Sequence, residues 1–302
     1  MATPAPLPVA IDSDRIATIT IEPNQGPMCI LDHALIQRLE VTFKSVREQG
    51  PAGVVLASGS PRVFIAGADL KSIAAMSQSE LESYLRYGQE VFGLLCAFSC
   101  PTVAAINGAA LGGGLEIAMH CDGLVAAPAP VRDGVPKPYP IGLPEAGLCI
   151  CPGWGGTNLL PARMDPADAL ARTATGRTMT IDQAATAGLV TLAPSAEGLL
   201  GAAKAWLKAN PGEAAKRRDG EPSRWIGRDF CRNRVQAAYA SSVESLSQTD
   251  QGKACMKAVV AGLEKGWGAA GGALEVERCE LNRLRNEPAG KSAIDTFLNK
   301  PK

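Results

Sequence analysis

Residues 111–122 read LGGGLEIAMHCD: three consecutive glycines, a leucine, a lone glutamate at 116, then an apolar run. Without Glu116 this is backbone packed tightly into a core. A carboxylate buried there without a partner costs several kcal/mol. The chain must therefore fold so that close backbone approach and a buried charge coexist, which few core segments do. Glycines let backbone come near another group, and the start of the following helix leaves N–H groups unpaired.

The flanking sequence sets the class of fold. Residues 15–21, RIATITI, alternate as a half-buried strand, and residues 31–49 carry apolar positions at helical spacing before the stop Gly50-Pro51. GVVLASGS at 53–60 reads as a buried strand, 70–98 as one or two amphipathic helices, and TVAAI at 102–106 as another strand. A helix from about Leu115 to Cys121 and a strand GLVAA follow the glycine run. Short strands alternate with helices at glycine-rich turns, an α/β pattern. The segment 128–140 holds five prolines and both charge signs, and reads as an exposed loop. From about 195 long helical patterns dominate, so the expected division is an α/β core over 1–195 and a helical region over 196–302. No strand–GxGxxG–helix unit occurs after 210, and GWGAAGGALE at 266–275 has the wrong spacing, so no dinucleotide-binding domain is expected.

Composition narrows the chemistry. Thirty basic against thirty acidic residues leave no basic excess for a nucleic-acid partner. MATPAPLPVAIDSDR has no basic residue before Arg15 and no apolar run of spanning length, which points to a cytoplasmic protein without membrane attachment. The nine cysteines include no C-x-x-C pair and mostly sit in apolar runs as small hydrophobes. With only His33 and His120, a histidine metal cage is not expected, and His120 reads as structural. Acid–base work falls to carboxylates.

Two further stretches join the glycine run. VFIAGADLKSI at 63–73 places a Gly-Ala-Asp turn after a strand, with Asp69 suited to cap the next helix. IGLPEAGLCICPGWGGTNLL at 141–160 supplies a second lone glutamate at 145 and a glycine cluster. Free backbone N–H groups suit an oxygen that becomes negative in a transition state. Two carboxylates divide acid and base roles when their environments separate their pKa values.

FIAGADLK, PTVAAINGAALGGGLEIAMHCD, GLPEAGLCICPGWGGTNLL and ATGRTMTIDQAATAGLVTLAP, in this order over about 12–210, resemble the crotonase (enoyl-CoA hydratase/isomerase) superfamily. The resemblance implies a ββα spiral core followed here by the helical C-terminal region. It implies an oxyanion hole from the Ala68 and Gly113 N–H groups for a thioester carbonyl. Ala66, Asp69, Leu70 and Lys71 lie in the stretch that would hold coenzyme A, with Lys71 near the phosphates. Gly153 N–H would help hold the water. Glu116 and Glu145 occupy both carboxylate positions of the hydratases, implying syn addition of water to a 2-trans-enoyl-CoA, Glu116 as base and Glu145 as acid. Coenzyme A is then part of the substrate, with no cofactor or metal, and a homotrimer or hexamer is the implied assembly. A Δ3,Δ2-enoyl-CoA isomerase using Glu145 alone is the enzyme alternative. An inactive acyl-CoA-binding scaffold is the alternative of another class.

Two departures stand out. The two glutamates lie twenty-nine residues apart, farther than is usual in hydratases, because of the Pro-rich loop. Trp154 replaces a small residue and is expected to line the acyl pocket. The tail, through AAKRRDGEPSRW and LEVERCELNRL, is similar to the hydratase half of multifunctional fatty-acid-oxidation α-subunits. The basic run 213–234 reads as solvated surface or internal ion pairing.

Overall fold

The computed structural model describes residues 4–300; residues 1–3, the start of the N-terminal stretch considered above, and 301–302 lie outside it. Its strands are β1 (Val9–Ile11), β2 (Ile16–Ile21), β3 (Gly53–Ser58), β4 (Val63–Ile65), β5 (Thr102–Ile106), β6 (Ala109–Leu111), β7 (Gly123–Ala126), β8 (Val131–Arg132), β9 (Val135–Pro136), β10 (Pro140–Gly142), β11 (Met179–Thr180) and β12 (Thr191–Leu192). The helices are α1 (His33–Glu48), α2 (Leu70–Ala75), α3 (Gln78–Gly93), α4 (Gly113–His120), α5 (Gly156–Leu159), α6 (Pro166–Thr175), α7 (Ile181–Thr186), α8 (Leu199–Ala209), α9 (Asp229–Leu246), α10 (Asp250–Lys265), α11 (Ala273–Asn286) and α12 (Pro288–Leu298).

Successive pairs of strands divide between two sheets. β3, β5 and β7 enter a six-stranded sheet of order β1-β2-β3-β5-β7-β12, while β4, β6 and β10 enter a four-stranded sheet of order β11-β10-β6-β4. Chain order therefore runs strand, strand, helix: β3, β4, α2; then β5, β6, α4. The central strands β2, β3, β5, β7 and β12 pair in parallel and β1 closes one edge antiparallel. Parallel strands are covered on both faces, and VVLA and TVAAI accordingly show unbroken burial rather than alternation.

The chain forms two compact units, each assembled from several segments. One contains residues 1–67, 90–141 and 179–223; the other contains 68–89, 142–178 and 224–302. Apolar periodicity shows which face of an element is buried but not which distant element covers it. The change of character is real, since every described element after β12 is helical.

Both sheets lie in the first unit. α8 packs on β3, β5 and β7, closing a core with Val55, Val103, Val125, Leu199 and Leu207. Each such aliphatic side chain contributes roughly 1.5–3 kcal/mol on burial. The second unit is helical: α10 packs on α5, α6, α9 and α11, and Leu81, Leu85, Leu170, Val259 and Leu281 are buried in it.

Three local differences from the sequence expectation have physical causes. α4 starts at Gly113, two residues early, because glycines carry no apolar signal. The Pro-rich stretch holds an exposed hairpin of β8 and β9, turned by Asp133 and Gly134, which both take positive φ. Its last proline opens β10. α9 begins within the basic run 213–234, with only Cys231 and Val235 buried.

Candidate active site

Each unit carries part of the motif set. In the first, Gly112 adopts φ 52°, ψ −127°, a conformation that L side chains resist, and offers α4 no side-chain cap. The leading N–H groups of α4, Gly113 first, have no intrahelical partners by geometry. A Cβ on Gly114 would lie 2.3 Å from the Ile65 carbonyl oxygen, so the glycine lets α4 settle on β4. Gly114→Ala is expected to destabilise the fold by about 1–3 kcal/mol through overpacking, measured as a lower urea midpoint. An unchanged midpoint would show that β4 yields at no cost.

Glu116 stands three residues after Gly113, in the first turn of α4, where the helix dipole favours a negative charge. It is 1 % exposed. His120, one turn on, places Nδ1 2.9 Å from the Glu116 carbonyl oxygen. A carbonyl only accepts, so Nδ1 carries the proton. The ring also meets Phe92 edge-on at 5.8 Å and is buried. Ala66, also in this unit, is half-buried at the end of β4 and donates its N–H to the Cys29 carbonyl oxygen at 3.0 Å.

In the second unit Ala68 directly precedes the cap of α2. Asp69 Oδ1 accepts from Lys71 N–H at 3.2 Å and Ser72 N–H at 3.4 Å, and Oδ2 accepts from the Ser72 hydroxyl at 2.5 Å. Asp69 is thus a cap. Leu70 is half-buried, and Lys71 is exposed on the first turn. α12 packs against both α2 and the 3-10 turn Glu145–Leu148.

Glu145 opens that turn. The residue as a whole is half-buried, yet its Oε2 is sealed from solvent without a hydrogen-bond partner among the described residues. Burial pushes its carboxyl up to about 8, and the negative charge of Glu277 adds to the rise. Burial thus favours the protonated form of Glu145, the state a general acid requires.

Glu277 of α11 was not among the sequence candidates. It is 0 % exposed, and Oε2 accepts from Gly155 N–H at 2.5 Å while Oε1 accepts from Thr157 N–H at 2.8 Å and from the Thr157 hydroxyl. Burial pushes its carboxyl up to about 7, and these donors work against the rise by favouring the charged form. The signal for it exists: Ala273, Glu277, Leu281 and Leu284 fall on one helical stripe, so Glu277 interrupts an apolar face.

Gly153 and Trp154 lie in the same unit. The Gly153 carbonyl oxygen accepts from Gln89 Nε2 at 2.8 Å. Trp154 is 2 % exposed, donates Nε1–H to the Leu85 carbonyl oxygen at 3.0 Å and packs edge-on against Tyr84 at 5.5 Å. Its ring serves the packing of α3, and Gly88 makes the space: a Cβ there would lie 2.3 Å from Nε1. Cys151 and Cys255, also buried here, are pushed well above the usual thiol range by burial and by nearby carboxylates, so neither is a thiolate nucleophile. No group of three or more His, Cys, Asp or Glu suited to a metal ion occurs among the described residues.

The raised carboxyl makes a stability prediction. A Glu with folded pKa above its ordinary 4.5 binds more protons folded than unfolded between those values, so stability is greatest below about 4.5 and falls as pH rises towards 8. The slope from Glu145 is at most about 1.4 kcal/mol per pH unit. Glu145→Gln should flatten the fall in melting temperature between pH 5.5 and 8. An equally steep fall in the variant would remove Glu145 as its source.

The enoyl-CoA hydratase/isomerase family model matches residues 12–213. The probable mitochondrial enoyl-CoA hydratase 2 of Arabidopsis thaliana is 38 % identical over 167 residues, 55 % of this chain and 52 % of that protein. The chain thus spans about half the length of this curated relative. The structure of an enoyl-CoA hydratase from Bacillus anthracis superposes with a TM-score of 0.59 at 26 % identity, over 85 % of this chain and 90 % of that one. An enoyl-CoA hydratase from Bacillus halodurans shares the fold, with a TM-score of 0.66 at 18 % identity, over 96 % and 99 % of the two chains.

Proposed function

The chain belongs to the enoyl-CoA hydratase/isomerase family, and on that premise we propose that it adds water to a 2-trans-enoyl-CoA to give the 3-hydroxyacyl-CoA. The observation that carries this reading is the environment of Glu145, a carboxyl whose protonated form burial favours, in a chain that also retains Glu116. In this mechanism Glu116 takes a proton from water as its oxygen bonds to C3. The double-bond electrons move towards the thioester oxygen, where the Ala68 and Gly113 N–H groups stabilise the developing charge. Such a donor is typically worth about 3–4 kcal/mol. Glu145 then delivers its proton to C2 on the same face, and Gly153 N–H helps hold the water. Solvent exchange returns both carboxyls to their starting states. The stretch from Ala66 to Lys71 holds the coenzyme A portion, which belongs to the substrate, and no cofactor enters the scheme.

Glu145 also favours a second reading. A single carboxyl poised near neutrality can remove a proton from C2 of a 3-enoyl-CoA and return it to C4. The two separate experimentally: isomerisation that survives Glu116→Gln supports the isomerase, whereas loss of enoyl-thioester absorbance with crotonyl-CoA supports the hydratase. Tight binding of CoA esters with no turnover across a panel of chain lengths would leave an inactive scaffold. A homotrimer or hexamer located in the cytoplasm completes the proposal, and sedimentation tests the assembly. No described helix is long and apolar enough to cross a membrane.

A further inference from the structure

We propose that Glu277 is a positioning residue of this enzyme: from α11 its carboxylate clamps the turn 153–157 and so holds the Gly153 N–H in working geometry. This rests on the assignment of Glu145 and Gly153 above. Both Glu277 oxygens are used, one by Gly155 N–H and the other by the N–H and hydroxyl of Thr157. The same turn is held from two other helices. Gln89 of α3 donates Nε2–H to the carbonyl oxygens of Gly153 and Leu274, and Arg278 of α11 donates to Gln89 Oε1 at 2.5 Å. Asn158 Nδ2 donates to the Thr157 hydroxyl oxygen at 2.8 Å and to the Ala258 carbonyl oxygen of α10 at 3.1 Å.

A charge at this depth is a costly anchor. Burying a carboxylate is expensive, and a well-packed apolar side chain often serves stability as well or better. What the carboxylate adds is direction: its two oxygens fix the N–H vectors of Gly155 and Thr157 in the turn that begins at Gly153. Its charge also lies close enough to Glu145 to favour the protonated form of that carboxyl. Turn and acid are thereby coupled through one group on α11, an element outside the four sequence motifs.

The test compares Glu277→Gln, Thr157→Val and Thr157→Ser in the full chain, beside Glu145→Gln. Gln turns a donor towards one of the three donors and breaks that bond, Val removes the hydroxyl, and Ser restores it. Misplacement of a reacting group by about 1 Å can cost up to roughly 100-fold in rate. The expected result is a kcat for crotonyl-CoA hydration lowered towards that limit in Glu277→Gln and Thr157→Val with KM little changed, and recovery in Thr157→Ser. Amide hydrogen exchange at Gly155 and Thr157 should accelerate in the first two, a readout independent of turnover. Accelerated exchange with unchanged kcat, or unchanged exchange in folded Glu277→Gln, overturns the proposal. Should Glu277→Gln fail to fold, the Thr157 pair decides by the same criteria. Full activity in Glu145→Gln would instead reject the acid assignment, whatever Glu277 does.

Discussion

Glu116→Gln and Glu145→Gln should each lower crotonyl-CoA hydration by about 100- to 10,000-fold, the usual worth of one general acid or base. Gln conserves size and hydrogen-bonding shape, so the loss isolates proton transfer. The two variants should differ in pH response. Burial and the Glu277 charge raise the Glu145 carboxyl to about 8, so wild-type activity should decline as pH passes that value. In Glu145→Gln that descending limb should vanish from the residual rate. Near-wild-type rates in both variants would end the two-carboxylate mechanism. A large loss of hydration in Glu145→Gln alone would remove Glu116 as the base, while isomerisation of a 3-enoyl-CoA that survives Glu116→Gln would favour the single-carboxylate isomerase.

The second large effect concerns the fold. Arg217→Met and Arg217→Ala should destabilise the protein by about 3–5 kcal/mol, because removing one partner strands a buried charge. Arg217 is 3 % exposed; Nε donates to Asp122 Oδ1 at 2.7 Å and Nη2 to Oδ2 at 3.0 Å. The guanidinium also donates to the carbonyl oxygens of Leu95, Cys96, Phe98 and Cys100. Asp122 Oδ2 in turn accepts from Thr102 N–H and its hydroxyl, which ties β5 to the end of the glycine motif. Arg217→Lys cannot reproduce the planar fork and should recover only part of the loss. Urea unfolding measures the series, and a shift below about 1 kcal/mol for Arg217→Ala would mean that water replaces the guanidinium.

Arg217 also shows what the sequence could and could not convey. The run KRR at 216–218 allows either solvated surface or internal pairing, and only the fold selects pairing for Arg217. Strands such as TVAAI and helices such as α1 and α10 were legible because burial imposes a period or an apolar run. α9 was not, since few of its residues are buried and basic, acidic and small residues share its faces. The β8–β9 hairpin escaped notice beneath the prolines, although Asp133-Gly134 is a strong two-residue turn signal. Glu116 and Glu145 stood out as lone carboxylates among glycines and apolar residues. Glu277 did not, because two other glutamates surround it in ALEVERCE and only the stripe through Ala273, Leu281 and Leu284 marks it as buried. The two units share the chain in alternating segments, an arrangement that depends on long-range packing and leaves no linker to read.

Oxygen tracing in heavy-oxygen water tests the central claim most directly. Purified protein incubated with crotonyl-CoA should yield 3-hydroxybutyryl-CoA carrying one solvent oxygen at C3, and Glu116→Gln should form it far more slowly. Recovery of unlabelled, unhydrated crotonyl-CoA after prolonged incubation with folded protein would contradict the account.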